Sequence, residues 1–275
     1  MKTNWFVMIC VCVLVSSLLF ASRASGELIA YVSWSKESQP DHCSKIWKID
    51  LDTGTIDDMG ISYPQLYMHI AISPLDDSIY GVSGLAGSGN WEIDPITGSI
   101  NSVWGPPANC GTIAFDPDGY LYAHRGSRSQ LGCYDLVNQT GGTFGTELPQ
   151  MFGILCGIAI NSSGEAIACS NYKKFYSVDL SDGDFTLIGT MSGLTSSLRG
   201  IDYDSSNRLI AFCDNGIYNI DMGSMSATEL MSFTPPMTGA QGQGIAIANV
   251  PEPATITLLI TGLLVGSSRL FRRRK

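Results

Sequence analysis

The chain has 275 residues, 44% of them hydrophobic, with 16 Lys and Arg against 25 Asp and Glu and a formal charge of −9. The length allows one substantial core, and 30 glycines with only 15% charged residues describe a folded, turn-rich chain rather than a disordered one. An acidic balance of this size repels phosphate backbones and sets nucleic acid aside as a partner.

Met1 to Ala24 begin with Lys2, run apolar from Trp5 to Phe20, and end on the small residues Ser22 and Ala24. This is the layout of a secretory signal peptide over 1–24, with cleavage expected after Ala24. Arg23 is an unusual neighbour for such a site, and retention of the segment as an anchor is the alternative. Cys10 and Cys12 lie inside the apolar run with no small residues leading to them, which speaks against a lipoprotein site.

Residues 25–249 are organised by a repeat. An apolar or aromatic run that ends in Asp and enters a turn appears as Ile46-Trp47-Lys48-Ile49-Asp50, Asn90-Trp91-Glu92-Ile93-Asp94 and Gly132-Cys133-Tyr134-Asp135. Phe175-Tyr176-Ser177-Val178-Asp179 and Ile217-Tyr218-Asn219-Ile220-Asp221 complete the set, and the aspartates are spaced 44, 41, 44 and 42 residues apart. Between them fall His69-Ile70-Ala71-Ile72, Gly111-Thr112-Ile113-Ala114-Phe115, Gly157-Ile158-Ala159-Ile160, Gly200-Ile201-Asp202-Tyr203 and Gly244-Ile245-Ala246-Ile247. The first four lead into turns such as Asp116-Pro117-Asp118-Gly119 and then into a further strand-like phrase, for example Tyr120-Leu121-Tyr122-Ala123.

Four short strands in every 40 to 45 residues or so are the signature of a β-propeller blade, and the spacing predicts five blades. The phrase that begins with Gly is expected innermost, where blades crowd the axis. The last repeat stops at an inner strand, Gly244 to Ala248, while Leu28 to Ser33 read as a second strand without a first. Joining the two would close the ring with strands from both ends and hide their edges. A β-sandwich with accidental periodicity is the rival all-β architecture.

Chemistry in the body is sparse. The five repeated aspartates sit where Asp braces a turn, and one per blade is too dispersed for a catalytic cluster. Asp116-Pro117-Asp118-Gly119 and Asp182-Gly183-Asp184 do not continue into a calcium loop, and hairpin turns explain both. His69 takes the place of the inner-strand Gly and is expected to face the central channel, most simply as a hydrogen-bonded structural group. No nucleophile elbow, phosphate loop, dinucleotide fingerprint or paired metal-binding histidines occur, so no catalytic residue, metal site or cofactor is assigned. Cys110 and Cys156 read as matching positions, as do Cys169 and Cys213. A four-residue turn at Asn161 to Gly164 would set Cys156 opposite Cys169, a candidate disulfide with buried free thiols equally open.

The C-terminus, 250–275, holds three parts in order. Val250-Pro251-Glu252-Pro253 is followed by an apolar stretch, Ala254 to Ser268, and by Arg269-Leu270-Phe271-Arg272-Arg273-Arg274-Lys275. Pro251 and Pro253 keep the first part extended and accessible. A transmembrane helix is expected over 254–271, just long enough if Arg269 snorkels. Arg269, Arg272, Arg273, Arg274 and Lys275 would stay on the cytoplasmic side. This arrangement resembles the PEP-CTERM sorting signal of Gram-negative bacteria that make exopolysaccharide. The resemblance implies an exosortase, a membrane-embedded transpeptidase-like enzyme, as partner, with cleavage near Pro251, Glu252 and Pro253 and transfer to the cell surface.

Without Lys2, Arg23, the five C-terminal basic residues and Glu252, the exported body keeps 9 basic and 24 acidic residues, a formal charge of about −15. The expectation is a non-enzymatic envelope or surface protein whose body binds or builds, with exopolysaccharide a plausible partner. The rival reading is a secreted hydrolase or lyase acting on glycans.

Overall fold

The computed structural model describes residues 27–36, 43–63, 68–83, 89–106, 110–125, 130–145, 154–235 and 240–250. The expected signal peptide with Ala24, the motif Pro251, Glu252 and Pro253, the apolar segment and the basic residues from Arg269 to Lys275 all lie outside the described residues. Within them no helix is long and apolar enough to cross a membrane.

Ile29–Ala248 form one compact unit, a five-bladed β-propeller of four-stranded sheets. Blade 1 has the strand order β20-β1-β2-β3, with β1 (Glu27–Lys36), β2 (Cys43–Asp50), β3 (Ile56–Tyr63) and β20 (Gln241–Val250). Blade 2 is β4 (Met68–Ile72), β5 (Ile79–Ser83), β6 (Asn90–Ile93) and β7 (Ile100–Val103). Blade 3 is β8 (Cys110–Phe115), β9 (Leu121–Arg125), β10 (Gln130–Asp135) and β11 (Thr140–Phe144). Blade 4 holds β12 (Leu155–Ile160), β13 (Ala166–Ser170), β14 (Lys174–Val178) and β15 (Phe185–Thr190). Blade 5 holds β16 (Leu198–Tyr203), β17 (Leu209–Cys213), β18 (Gly216–Asp221) and β19 (Ser226–Ser232).

Burial is lost at the outer strand, which lies at the rim where neighbouring blades no longer cover it; the second strands are as buried as the inner ones, with all five residues of β17 buried. All six residues of β12 are buried, whereas β15 of the same blade has none. The apolar clusters accordingly lie between blades. Ala159, Cys169 and Phe175 of blade 4 pack on Leu198, Ile201 and Tyr218 of blade 5. Ile29 and Ile46 of blade 1 pack on Ile70, Ile79 and Ile93 of blade 2. Blade 5 meets blade 1 through Trp34, which is edge-on to Phe212 at 5.2 Å and to Phe233 at 6.0 Å. Such aromatic pairs add about 0.5–1.5 kcal/mol each beyond their buried area.

Two turn families join the strands on one face of the disc. The repeated aspartate opens each turn between third and outer strands. Asp50 Oδ1 accepts the N–H groups of Asp52 and Thr53 at 2.9 and 3.0 Å, and Oδ2 accepts the Thr53 hydroxyl at 2.6 Å. Asp94, Asp135, Asp179 and Asp221 bind their own turns in the same manner. The fifth turn residue is left-handed, with φ of 76° at Gly54, 70° at Gly98 and 79° at Gly183; Gln139 and Met225 accept it at 54° and 52°. Turns between inner and second strands begin at Ser73, Asp116, Asn161 or Asp204, whose side chains accept N–H groups further along.

Candidate functional site

The five inner strands surround the axis. Pairing with the second strands sets their register, since Phe115, Ile160 and Tyr203 lie opposite Leu121, Ala166 and Leu209. His69 therefore shares its level with Thr112, Gly157, Gly200 and Gly244. A side chain at Gly157 has no room, and at Gly200 and Gly244 it would be tight. A Cβ on Gly157 would lie 2.7 Å from the Ile201 nitrogen, one on Gly200 3.0 Å from that of Ile245, and one on Gly244 3.2 Å from that of Ile70. What remains between them is an axial cavity of about 10 Å³ lined by His69, Thr112, Gly157, Gly200 and Gly244. That is the space of about one water molecule. At this level the described residues leave no room for a ligand larger than water.

His69 faces this cavity, as its alignment with glycine predicts. Burial, opposed by a hydrogen bond to the Gln243 backbone and assisted by the nearby His124, lowers its pKa to about 4. Thr112 Oγ1 accepts the Ile158 N–H of the next blade at 2.9 Å. Asp202 stands at the level where the other inner strands carry Ala71, Ala114, Ala159 and Ala246, and its Oδ2 accepts the Ile247 N–H of blade 1 at 2.7 Å. Burial raises its carboxyl to about 7, against the opposing backbone hydrogen bonds from Ile247 and Tyr203. These polar side chains stitch neighbouring blades together. At one mouth of the axis Arg199 makes a two-pronged ion pair with Asp214, Nε to Oδ1 at 2.8 Å and Nη2 to Oδ2 at 3.0 Å.

The turn face holds the roomier feature. A groove of about 870 Å³ runs over blade 4, lined among others by Glu165, Asp179, Asp182, Asp184, Ser177 and, from blade 5, Tyr203. Burial and the Glu165 carboxylate push the Tyr203 phenol up to about 12. Asp179 is unsuited to donate a proton, because the Ser181 hydroxyl and N–H hold its carboxyl below the usual range. The same cause depresses Asp94, Asp135 and Asp221 through Thr97, Asn138 and Ser224, so all four are turn braces. Asp116 also serves its own turn, accepting from Asp118 and Tyr120 at 3.1 and 2.8 Å. Among the described residues, no three His, Cys, Asp or Glu side chains are grouped to hold a metal ion.

Register corrects the cysteine alignments. The turn after β12 has five residues, 161–165, rather than four, so Cys169 lies opposite Gly157. A β-bulge between Leu155 and Gly157 adds a residue and brings Cys156 back beside Cys169, with sulfurs 3.6 Å apart and unbonded. Cys110 matches Leu155 instead of Cys156, and Cys213 matches Ser170 instead of Cys169.

Sequence reasoning placed His69 and the repeated aspartates correctly. It missed Asp202, whose signal was an acid in a column of alanines, and the Arg199–Asp214 pair. It also missed the groove, for which Glu165, Asp182 and Asp184 in two turns of one blade were the only cue.

No protein-family model matches the chain, and no curated protein matches it. The chain has distant likenesses among solved structures. Virginiamycin B lyase from Staphylococcus aureus is 19% identical, with 78% of this chain and 73% of that chain covered and a TM-score of 0.45. A streptogramin B lyase is 14% identical over 81% and 87% of the two chains, with a TM-score of 0.47. A chain of a nidogen/laminin complex is 12% identical over 80% and 98%, with a TM-score of 0.49.

Proposed function

We propose that this is an exported envelope protein of an exopolysaccharide-producing Gram-negative bacterium, with a propeller that acts as a binding or structural module. Its C-terminal segment is the address by which an exosortase handles it. The observation that carries this reading is the order Pro251-Glu252-Pro253, apolar stretch, arginine cluster. The propeller supports the module half: its axis is narrow at the level of His69, and the polar groups Thr112 and Asp202 there join blades. On this reading β20 and β1 act as the clasp of the ring, bringing chain from the two ends of the body into one sheet.

The experiment replaces Pro251, Glu252 and Pro253 together by Ala in the native host. The variant is expected to accumulate at precursor size in the inner membrane, while the unaltered protein matures and leaves it. A variant of unchanged size and destination would overturn the sorting assignment.

The groove on blade 4 favours a second reading, a hydrolase or lyase acting on glycans, because it joins carboxylates to the Tyr203 ring. Incubation with the host's own exopolysaccharide separates the two. New reducing ends or unsaturated products that vanish in Glu165→Gln would establish the enzyme; retention of intact polymer on the protein would establish the module.

A further inference from the structure

Three thiols from two blades meet between blade 4 and blade 5. Strand alternation would send Cys156 and Gly157 to opposite sides of β12, but the bulge turns both toward blade 5. Cys169 on β13 points the same way, and its carbonyl and its sulfur lie 3.7 and 3.6 Å from Cys156 Sγ. Cys213 arrives from the other side. Because it occupies the level of Ser170 and not of Cys169, it faces back toward blade 4 and joins the same cluster. Cys169 and Cys213 are fully buried, and Cys156 is 9% exposed.

Sulfurs in contact need only close to about 2 Å to bond. A bulged strand, bent and unpaired at the residue in question, supplies that movement more easily than a regular ladder. Blade 4 makes the pair from a single hairpin, whereas Cys213 comes within reach only when blade 5 has docked. Once docked, burial disfavours the attacking form. It lifts the Cys213 thiol to about 12 and the Cys169 thiol well above its ordinary value.

We propose that Cys156 and Cys169 are oxidised to a disulfide while the β12–β13 hairpin is still open, and that blade 5 then seals Cys213 against it as a thiol. The proposal rests on the export reading for its oxidising surroundings, and the oxidant is a small-molecule or protein disulfide. The thiolate of one cysteine attacks that disulfide and releases one thiol; the second thiolate attacks the mixed disulfide and releases the other. Two cysteine thiols are thereby oxidised, one disulfide is reduced to two thiols, and both protons pass to the leaving sulfurs.

The test uses the whole protein unfolded and reduced, then refolded with oxidised and reduced glutathione, so that it does not depend on where the protein resides in the cell. Cleavage after Lys, Arg and Glu releases residues 148–165, 166–173 and 209–229, each with one of the three cysteines. Without reduction, 148–165 is expected joined to 166–173, and 209–229 is expected free. A bridge that includes 209–229, or three free thiols, overturns the pairing. The order of events is read separately, from folded reduced protein given the same oxidant. It is expected to form the bridge at least about tenfold more slowly than the unfolded chain does. Equal rates overturn oxidation before docking.

Discussion

His124 carries both ring nitrogens into the seam between blades 3 and 4 with no hydrogen-bond partner among the described residues. The ring of Phe185 meets it edge-on at 6.1 Å. Burial lowers its pKa to about 4, so it is neutral at pH 7. The unfolded chain takes up that proton near pH 6.5 and the folded chain only near 4. Stability is therefore complete above about 6.5 and is lost progressively on acidification to 4, by about 3 kcal/mol for one such histidine. His69 acts in the same direction. Asp202 acts in the opposite one: with its carboxyl at about 7 in the fold, its contribution is full below the ordinary 3.8 and declines as pH rises through 7. His124→Phe removes one titration and keeps the contact with Phe185. Thermal melts of this variant are expected to match or exceed the unaltered protein at pH 7.5, since two unsatisfied nitrogens leave the core. At pH 4 they should show an acid loss smaller by about 3 kcal/mol. An unchanged acid loss would show that His124 is not the titrating group.

At the level of strands, the repeat was readable because blade strands are short and end in recognisable turn chemistry. The aspartates that open turns at Asp50, Asp94, Asp135, Asp179 and Asp221 bind their own backbone, a local requirement that leaves a local signature. Bulges leave none. The extra residues between Cys110 and Thr112, between Leu155 and Gly157 and between Leu198 and Gly200 look in sequence like ordinary strand. For that reason the alignment of Cys110 with Cys156 slipped by one position, while Cys156 was set opposite Cys169 by a turn counted one residue short; a one-residue slip in a strand exchanges the faces of the sheet. Gly157 marks the consequence, because a Cβ there would sit 2.7 Å from the Ile201 nitrogen and 2.9 Å from Cys169 Sγ. Gly157→Ala is expected to cost about 1–3 kcal/mol by overpacking the seam of blades 4 and 5. Gly142→Ala on the outer strand β11, where nothing lies within 4 Å, is the comparison and should cost far less. Equal urea midpoints for the two would contradict this packing account.

At the scale of the molecule, charge among the described residues is sorted by face. Each described turn of the face bearing the repeated aspartates carries at least one carboxylate, and Arg208, paired with Asp204, is the one basic residue among them. Such a face repels polyanions. On the proposed reading β20 is the clasp of the ring: it lies beside β1 in blade 1, and a Cβ on Gly244 would stand 3.2 Å from the Ile70 nitrogen and 3.3 Å from His69 Cα in blade 2. A chain ending at residue 250 is expected to melt cooperatively and to keep its β-sheet circular dichroism. A chain ending at residue 240 would expose the edge of β1 and open the axis, and should aggregate. Cooperative melting of the shorter chain would remove β20 from its role as clasp.

The primary sequence alone determined the number of blades, the order of strands within them and the identity of the turn braces. Each of these rests on interactions between residues close in the chain, which repeat once per blade. Tertiary structure alone decided that the axis narrows at the level of His69, that a groove lies over blade 4, that Asp202 reaches into blade 1 and that Cys213 faces Cys156 and Cys169. Those outcomes depend on bulges, on turn length counted to the single residue and on the approach of neighbouring blades. Distances across a ring are set by how all five sheets pack, and no one repeat contains them.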